Sequence, residues 1–97
     1  GAIDVVPIAG IYGVTRNRMQ NYQLEQGSYP QRDEVMLGRN IDAILEHPQH
    51  ITLLGNDFKV SGTYASDIGF ENGGVVIDIA DAQKLFNKSA SFLLVSL

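Results

Sequence analysis

Residues 50–64, HITLLGNDFKVSGTY, decide how the fold is read. Gly55-Asn56 sits between two extended arms, and both residue types tolerate positive φ, so the stretch predicts a tight hairpin with arms 50–54 and 57–64. The second arm alternates. Phe58, Val60, Gly62 and Tyr64 fall on one face, and Lys59, Ser61 and Thr63 on the other. That pattern predicts a sheet buried on one face and wet on the other, as in antiparallel sheets packed on helices.

N-terminal to the hairpin, Arg39–Glu46 places Ile41, Ile44 and Leu45 at i, i+3 and i+4, one face of a short helix that Pro48 ends. Glu34–Leu37 is a short extended stretch that stops at Gly38. Gly27, Ser28, Pro30 and Asp33 cluster as a turn. Residues 20–24 read as a short strand, 15–19 (TRNRM) as a solvated loop carrying Arg16 and Arg18, and 3–14 as an apolar strand. Pro7 points that last strand to a sheet edge or a bulge. C-terminal to the hairpin, 65–74 is a loop with three glycines and Val75–Ile79 a strand. Ala80–Phe86 is a second helix with Ala82, Leu85 and Phe86 on one face and Asp81 in the first turn, where the helix dipole favours an anion. Asn87–Ser91 reads as a connector and Phe92–Leu97 as a last, buried strand. The sum is a single α+β domain: about six strands in a mixed, mainly antiparallel sheet with two short helices on it.

Composition narrows the function. The chain has 97 residues, 11 acids against 7 bases and a net charge of −4. Nothing in that balance would neutralise a run of phosphates, which argues against nucleic acid as a partner. Cysteine is absent, which removes disulfides, thiol chemistry and cysteine-ligated zinc. The most apolar stretch, Val5–Val14, is broken by Pro7, Gly10 and Gly13 and is about half the length a bilayer span needs. No signal peptide is visible. The blunt apolar ends read as cuts from a longer protein.

Candidate chemistry is sparse. His47 and His50 lie in EHPQH, where a spacing of three through a proline breaks the helical geometry of a zinc pair, so a surface turn is the simpler reading. No serine sits on a nucleophile elbow. Asp33 and Glu34 are adjacent, and on a strand they point to opposite faces, unsuited to paired acid–base work. The glycines match no phosphate-binding pattern. Asn87-Lys88-Ser89 matches the glycosylation triplet, a motif common by chance. Asp67 and Glu71 could touch a cation, although calcium wants six or more oxygens, and a polar mobile loop explains them as well. Ile68 and Phe70 stand out: an aromatic in a glycine-rich loop is either a contact point for a partner or a cap folded back on the core. The candidate partner-contact loop is therefore Asp67, Ile68, Phe70 and Glu71, with no catalytic, cofactor-binding or metal residue nominated.

The ordered segments carry a resemblance. Gly27-Ser28-Tyr29-Pro30, Glu34-Val35-Met36-Leu37-Gly38, the run from Ile51 through Phe58 and Val60 to Gly62, and Ala82-Gln83-Lys84-Leu85-Phe86 stand in sequence over residues 22–97. In order and spacing they resemble the extracytoplasmic (periplasmic core) domain of MacB/FtsX/LolC-type ABC transporter permeases. The chain departs at Pro48-Gln49-His50, where that family often has a glycine and an acid. It departs again at Ala80, where a capping Ser or Thr is usual, which leaves the second helix's cap to Asp78 or Asp81. It also lacks the length for the extra subdomain of larger members.

The resemblance implies a non-catalytic domain on the periplasmic or extracellular face of a bacterial membrane, set between two membrane helices of a permease that works as a dimer. It implies no cofactor and a separate cytoplasmic ABC ATPase whose motion the domain transmits to an adaptor, substrate protein or peptide. Two other readings remain: a small ligand-binding or hydrolase domain using His47 or His50, and a structural assembly module.

Overall fold

The computed structural model describes residues 10–89. Within them the fold is mixed α+β, as expected: one six-stranded sheet with three helices. The strands are β1 (Ile11–Val14), β2 (Gln23–Gly27), β3 (Glu34–Gly38), β4 (His50–Leu53), β5 (Asn56–Ala65) and β6 (Val75–Asp78). The helices are α1 (Arg16–Met19), α2 (Arg39–Ile44) and α3 (Ile79–Ser89), and a 3-10 turn spans Gly69–Gly73. The sheet order is β1-β6-β3-β5-β2, with β4 on β5 as well. Pairings β2–β5, β4–β5 and β3–β6 are antiparallel, whereas β1–β6 and β3–β5 are parallel. The N-terminal half of the strand expected at 3–14, and the strand expected at 92–97, lie outside the described residues.

β5 organises the sheet. Residues 56–59 pair with β4, 59–64 with β3 and 62–65 with β2. The hairpin forms, but its turn is Leu54-Gly55 rather than Gly55-Asn56. Both Leu54 (φ 48) and Gly55 (φ 81) take the left-handed conformation of the tightest hairpin loop, and Asn56 joins the ladder opposite Leu53. The Asn56 amide donates back to the Leu54 carbonyl at 3.1 Å, which supports the non-glycine residue there.

The expectation of one buried face fails for a specific reason. Val35 pairs with Val60 but Met36 pairs with Gly62, so Ser61 is an extra residue in β5. Such a bulge reverses the parity of the strand beyond it. Phe58 and Val60 join Val35, Leu37, Ile41, Leu53, Val75, Ile77, Ala82 and Leu85 in one cluster. Tyr64, instead of sharing their face, joins Val14, Met19, Met36 and Val76 in a second cluster. Alternate residues of β3 and β6 feed opposite clusters, and both faces of the sheet are covered. The central strands therefore read as unbroken apolar runs, EVMLG and VVID.

The helices follow from this demand. α3 buries Ala82 and Leu85 and half-buries Phe86, the stripe expected from its spacing, but it runs to Ser89 through most of the expected connector. Asp78 supplies its cap: a side-chain oxygen accepts from the Ala80 backbone N–H at 2.8 Å. Asp81 is buried and accepts from Arg32 Nε at 2.8 Å and from the Asp33 backbone N–H at 2.7 Å, tying the turn before β3 to α3.

α2 departs from its expected stripe. Ile41 is buried and Leu45 half-buried, but Ile44 is 55% exposed and Asp42 is buried instead. The helix ends at Ile44, and Glu46 and His47 both take positive φ. The chain thereby doubles back, and His47 meets Asp42 through both its ring and its backbone N–H. Residues 15–19, expected as a loop, contain the one-turn α1, whose Met19 plugs the second cluster while Arg16 and Arg18 stay in solvent. The strand expected at 20–24 lies at Gln23–Gly27. No helix among the described residues is long and apolar enough to cross a membrane.

Candidate functional site: a loop braced by tyrosines

The segment Ser66–Gly74 joins the end of β5 to β6 across the second face of the sheet. Its glycines suggested mobility, yet its backbone is held at several points. The Ser66 backbone N–H donates to Asn72 Oδ1 at 2.8 Å and the Asn72 amide returns to the Ser66 carbonyl at 3.1 Å. The Ile68 N–H donates to Ser66 Oγ at 3.1 Å. Glu71 and Gly74 close the 3-10 turn with backbone bonds to Ile68 and Glu71. Gly38 allows the loop to lie this close. A Cβ there would collide with the Asn72 backbone, and the Gly38 N–H donates to the Gly74 carbonyl at 2.9 Å.

Glu71 is the anchor. The Tyr64 hydroxyl donates to its carbonyl at 2.6 Å, Ser66 Oγ to its Oε1 at 2.5 Å, and the Tyr22 hydroxyl reaches its Oε2 at 3.4 Å. Tyr22 meets Tyr64 edge to face with ring centroids 5.1 Å apart, a favourable arrangement for paired rings. Tyr29 donates to the Tyr22 carbonyl at 2.9 Å. All four tyrosines of the chain pack in or on the second cluster.

Burial and the neighbouring carboxylate leave their mark on these phenols. Burial, then the charge of Glu71 and its hydrogen bond, push the Tyr22 hydroxyl up to about 12. Burial, then its tyrosine and glutamate neighbours, raise Tyr64 well above the ordinary phenol value. Tyr12 is raised as well, by burial and by the Glu71 charge.

The four expected contact residues thus divide. Glu71 points inward as the brace. Ile68 is 55% and Phe70 60% exposed, so Phe70 stands off the core rather than capping it. Asp67 is exposed and lines an open hollow of about 420 Å³ with Gln20, Asn21, Gln23, Leu24, Tyr29 and Ala65. Asp67 and Glu71 do not converge: both Glu71 carboxylate oxygens are engaged by hydroxyls, and no group of three metal-ligating side chains forms among the described residues. His47 pairs with Asp42, His50 is exposed at the start of β4, and neither lines the hollow.

The tyrosine brace has no local signature in the sequence. Tyr22 and Glu71 are 49 positions apart, and only the sheet brings them together. What the loop can do is present two apolar side chains on a pre-ordered backbone, which lowers the entropy lost when they are covered. No family model matches the chain, no curated protein is similar to it, and no solved structure matches it.

Proposed function

We propose that the chain is an extracytoplasmic, non-catalytic domain of an ABC transporter permease of the MacB/FtsX type, which passes motion driven by a cytoplasmic ATPase to a protein partner. The observation that carries this reading is the fit between the resembling segments and the elements. Gly27–Pro30 leaves β2, Glu34–Gly38 is β3, the run from Ile51 to Gly62 is the β4–β5 hairpin, and Ala82–Phe86 lies within α3. The punctuation also has physical reasons here: Gly38 admits the loop, and Gly55 makes the turn. The contact to the partner falls to Ile68 and Phe70, exposed on a loop whose backbone is already fixed. An apolar pair held rigid in solvent suits a binding module better than a reaction centre.

The test starts from the complete reading frame. Its product is expected in the membrane fraction, resistant to alkaline extraction, with apolar helices of about 20 residues on both sides of this segment. It is expected to co-purify with a P-loop ATPase. A photo-cross-linker at Phe70 should yield a protein adduct that depends on ATP turnover, with Phe70→Ala lowering transport but not ATP hydrolysis. A product that stays soluble and carries no such helices ends the proposal.

A further inference from the structure

The start of β2 carries binding chemistry that the Ile68–Phe70 contact leaves unused. β2 is the last strand in the sheet order, and β5 takes one of its edges. Among the described residues no strand takes the other. Gln23, Glu25, Gln26 and Gly27 are exposed. The ladder slips between Leu24 and Gln26, which divides this edge into a Gln23–Leu24 stretch and a Gln26–Gly27 stretch. The hollow of about 420 Å³ begins at Gln23 and Leu24.

The hollow's lining is specific in kind. Gln20, Asn21 and Gln23 bring side-chain amides, each a donor and acceptor pair that matches a peptide group. Leu24 and Tyr29 supply apolar surface, and Asp67 supplies the one charged side chain of the lining. An anionic ligand would meet that carboxylate on a chain of net charge −4. A neutral sugar could use the amides but would leave the strand edge unmet. An extended peptide uses everything present: its main chain adds to the edge, its peptide groups meet the amides, and a lysine or arginine meets Asp67.

We propose that the Gln23–Leu24 edge and the adjoining hollow bind an extended, positively charged peptide segment by strand addition. The inference rests on the hollow and the edge alone, so it survives or fails independently of the permease reading.

The test is a titration of the isotope-labelled 97-residue chain, followed by its amide spectrum. The probes are a blocked hexapeptide of alternating lysine and valine, its glutamate–valine counterpart, and a chitin trisaccharide. The cationic peptide is expected to shift Asn21, Gln23, Leu24 and Asp67 saturably and to slow hydrogen exchange along β2. The other two probes are expected to leave these signals in place. Asp67→Lys replaces an exposed side chain, so the spectrum should keep its dispersion. It should weaken the cationic peptide roughly fivefold at low salt, the scale of one exposed charge pair reversed, and admit the anionic one.

Three results would overturn the proposal. One is equal shifts from both peptides or from the trisaccharide. Another is no response at these residues. The third is β2 exchange already slowed in the free chain, which would mean that the chain itself covers the edge.

Discussion

The two faces of the sheet are built from different materials. One is mainly aliphatic and covered by α2 and α3: Val35, Leu37, Val75 and Ile77 meet Ile41, Ala82 and Leu85, with Phe58 and Phe86 as its aromatic rings. The other is covered by the one-turn α1, the tyrosines and a loop. The first gains its stability from area removed from water. The second joins packing to hydroxyl groups that bond the loop across it. The difference teaches where function can sit. A dry helical face offers little to a partner, whereas a hydrogen-bonded face can fix a loop in place and leave its crest uncovered.

The sharpest way to break this contrast is to cut a cavity in the dry face. Leu37→Ala removes a fully buried side chain between two layers and should cost about 3–4 kcal/mol in urea unfolding, while leaving the loop's exchange pattern native at low denaturant. Equal loss of loop order would show that the faces are a single cooperative unit.

Next in size is Asp81→Ala. The Asp33 N–H loses its acceptor beside a buried site, and a loss of about 2 kcal/mol is expected. Arg32, largely exposed, adds little to that figure. Asp81→Asn keeps one of the two acceptor oxygens and should recover part of that loss; a full effect would show that the Asp33 and Arg32 bonds are both required.

On the tyrosine face, Tyr64→Phe removes the donor to the Glu71 carbonyl at a cost of about 1 kcal/mol. Its distinguishing effect should be local: faster exchange in 66–74 with β3 and β6 unchanged. The same face should fail first in alkali. The Tyr22 phenol goes from an ordinary value of 10.0 to about 12 in the folded chain, so its contribution is complete below pH 10. Above that the unfolded chain loses the proton first, and stability falls as pH rises towards 12. Tyr22→Phe should flatten that decline in a pH series of thermal melts. A curve unchanged by the substitution would remove Tyr22 from the account.

The smallest effect is expected at the loop crest. Phe70→Ala should change stability by less than about 0.5 kcal/mol, because the ring is mostly in water already. A larger loss would mean that Phe70 belongs to the core and would weaken its part in any contact.

Much of the aliphatic face was legible from local pattern. The α3 stripe, the hairpin, the short β3 and the turn before it each follow from spacing or from residues with narrow backbone preferences. The misreadings share a cause: contacts outside the element overruled its own signal. Ile44 fits an apolar stripe, but the helix buries Asp42 in its stead, and the reversal after α2 lays the exposed His47 ring against that carboxylate. TRNRM has no periodicity, yet Met19 is buried because the second face needs filling. The glycines of 65–74 suggest freedom that Tyr22 and Tyr64 take away. The connection that carries Asp67 and Phe70 is legible but its 3-10 turn is not, and which side chains face outward depends on how Tyr22 and Tyr64 hold Glu71, a contact that no nearby residue signals.

The extra residue at Ser61 has a consequence for anyone editing this chain. Upstream of it, even-numbered positions of β5 point to the helices; downstream, they point to the phenols. Removing that one residue while keeping the ladder would leave Gly62, Thr63 and Tyr64 opposite Met36, Leu37 and Gly38, each on its present face, and would cost the bonds that Ser61 makes to Ser28. A single-codon deletion there would thus straighten the strand with both interiors in place, because β5 carries one residue more than its pairing with β3 uses.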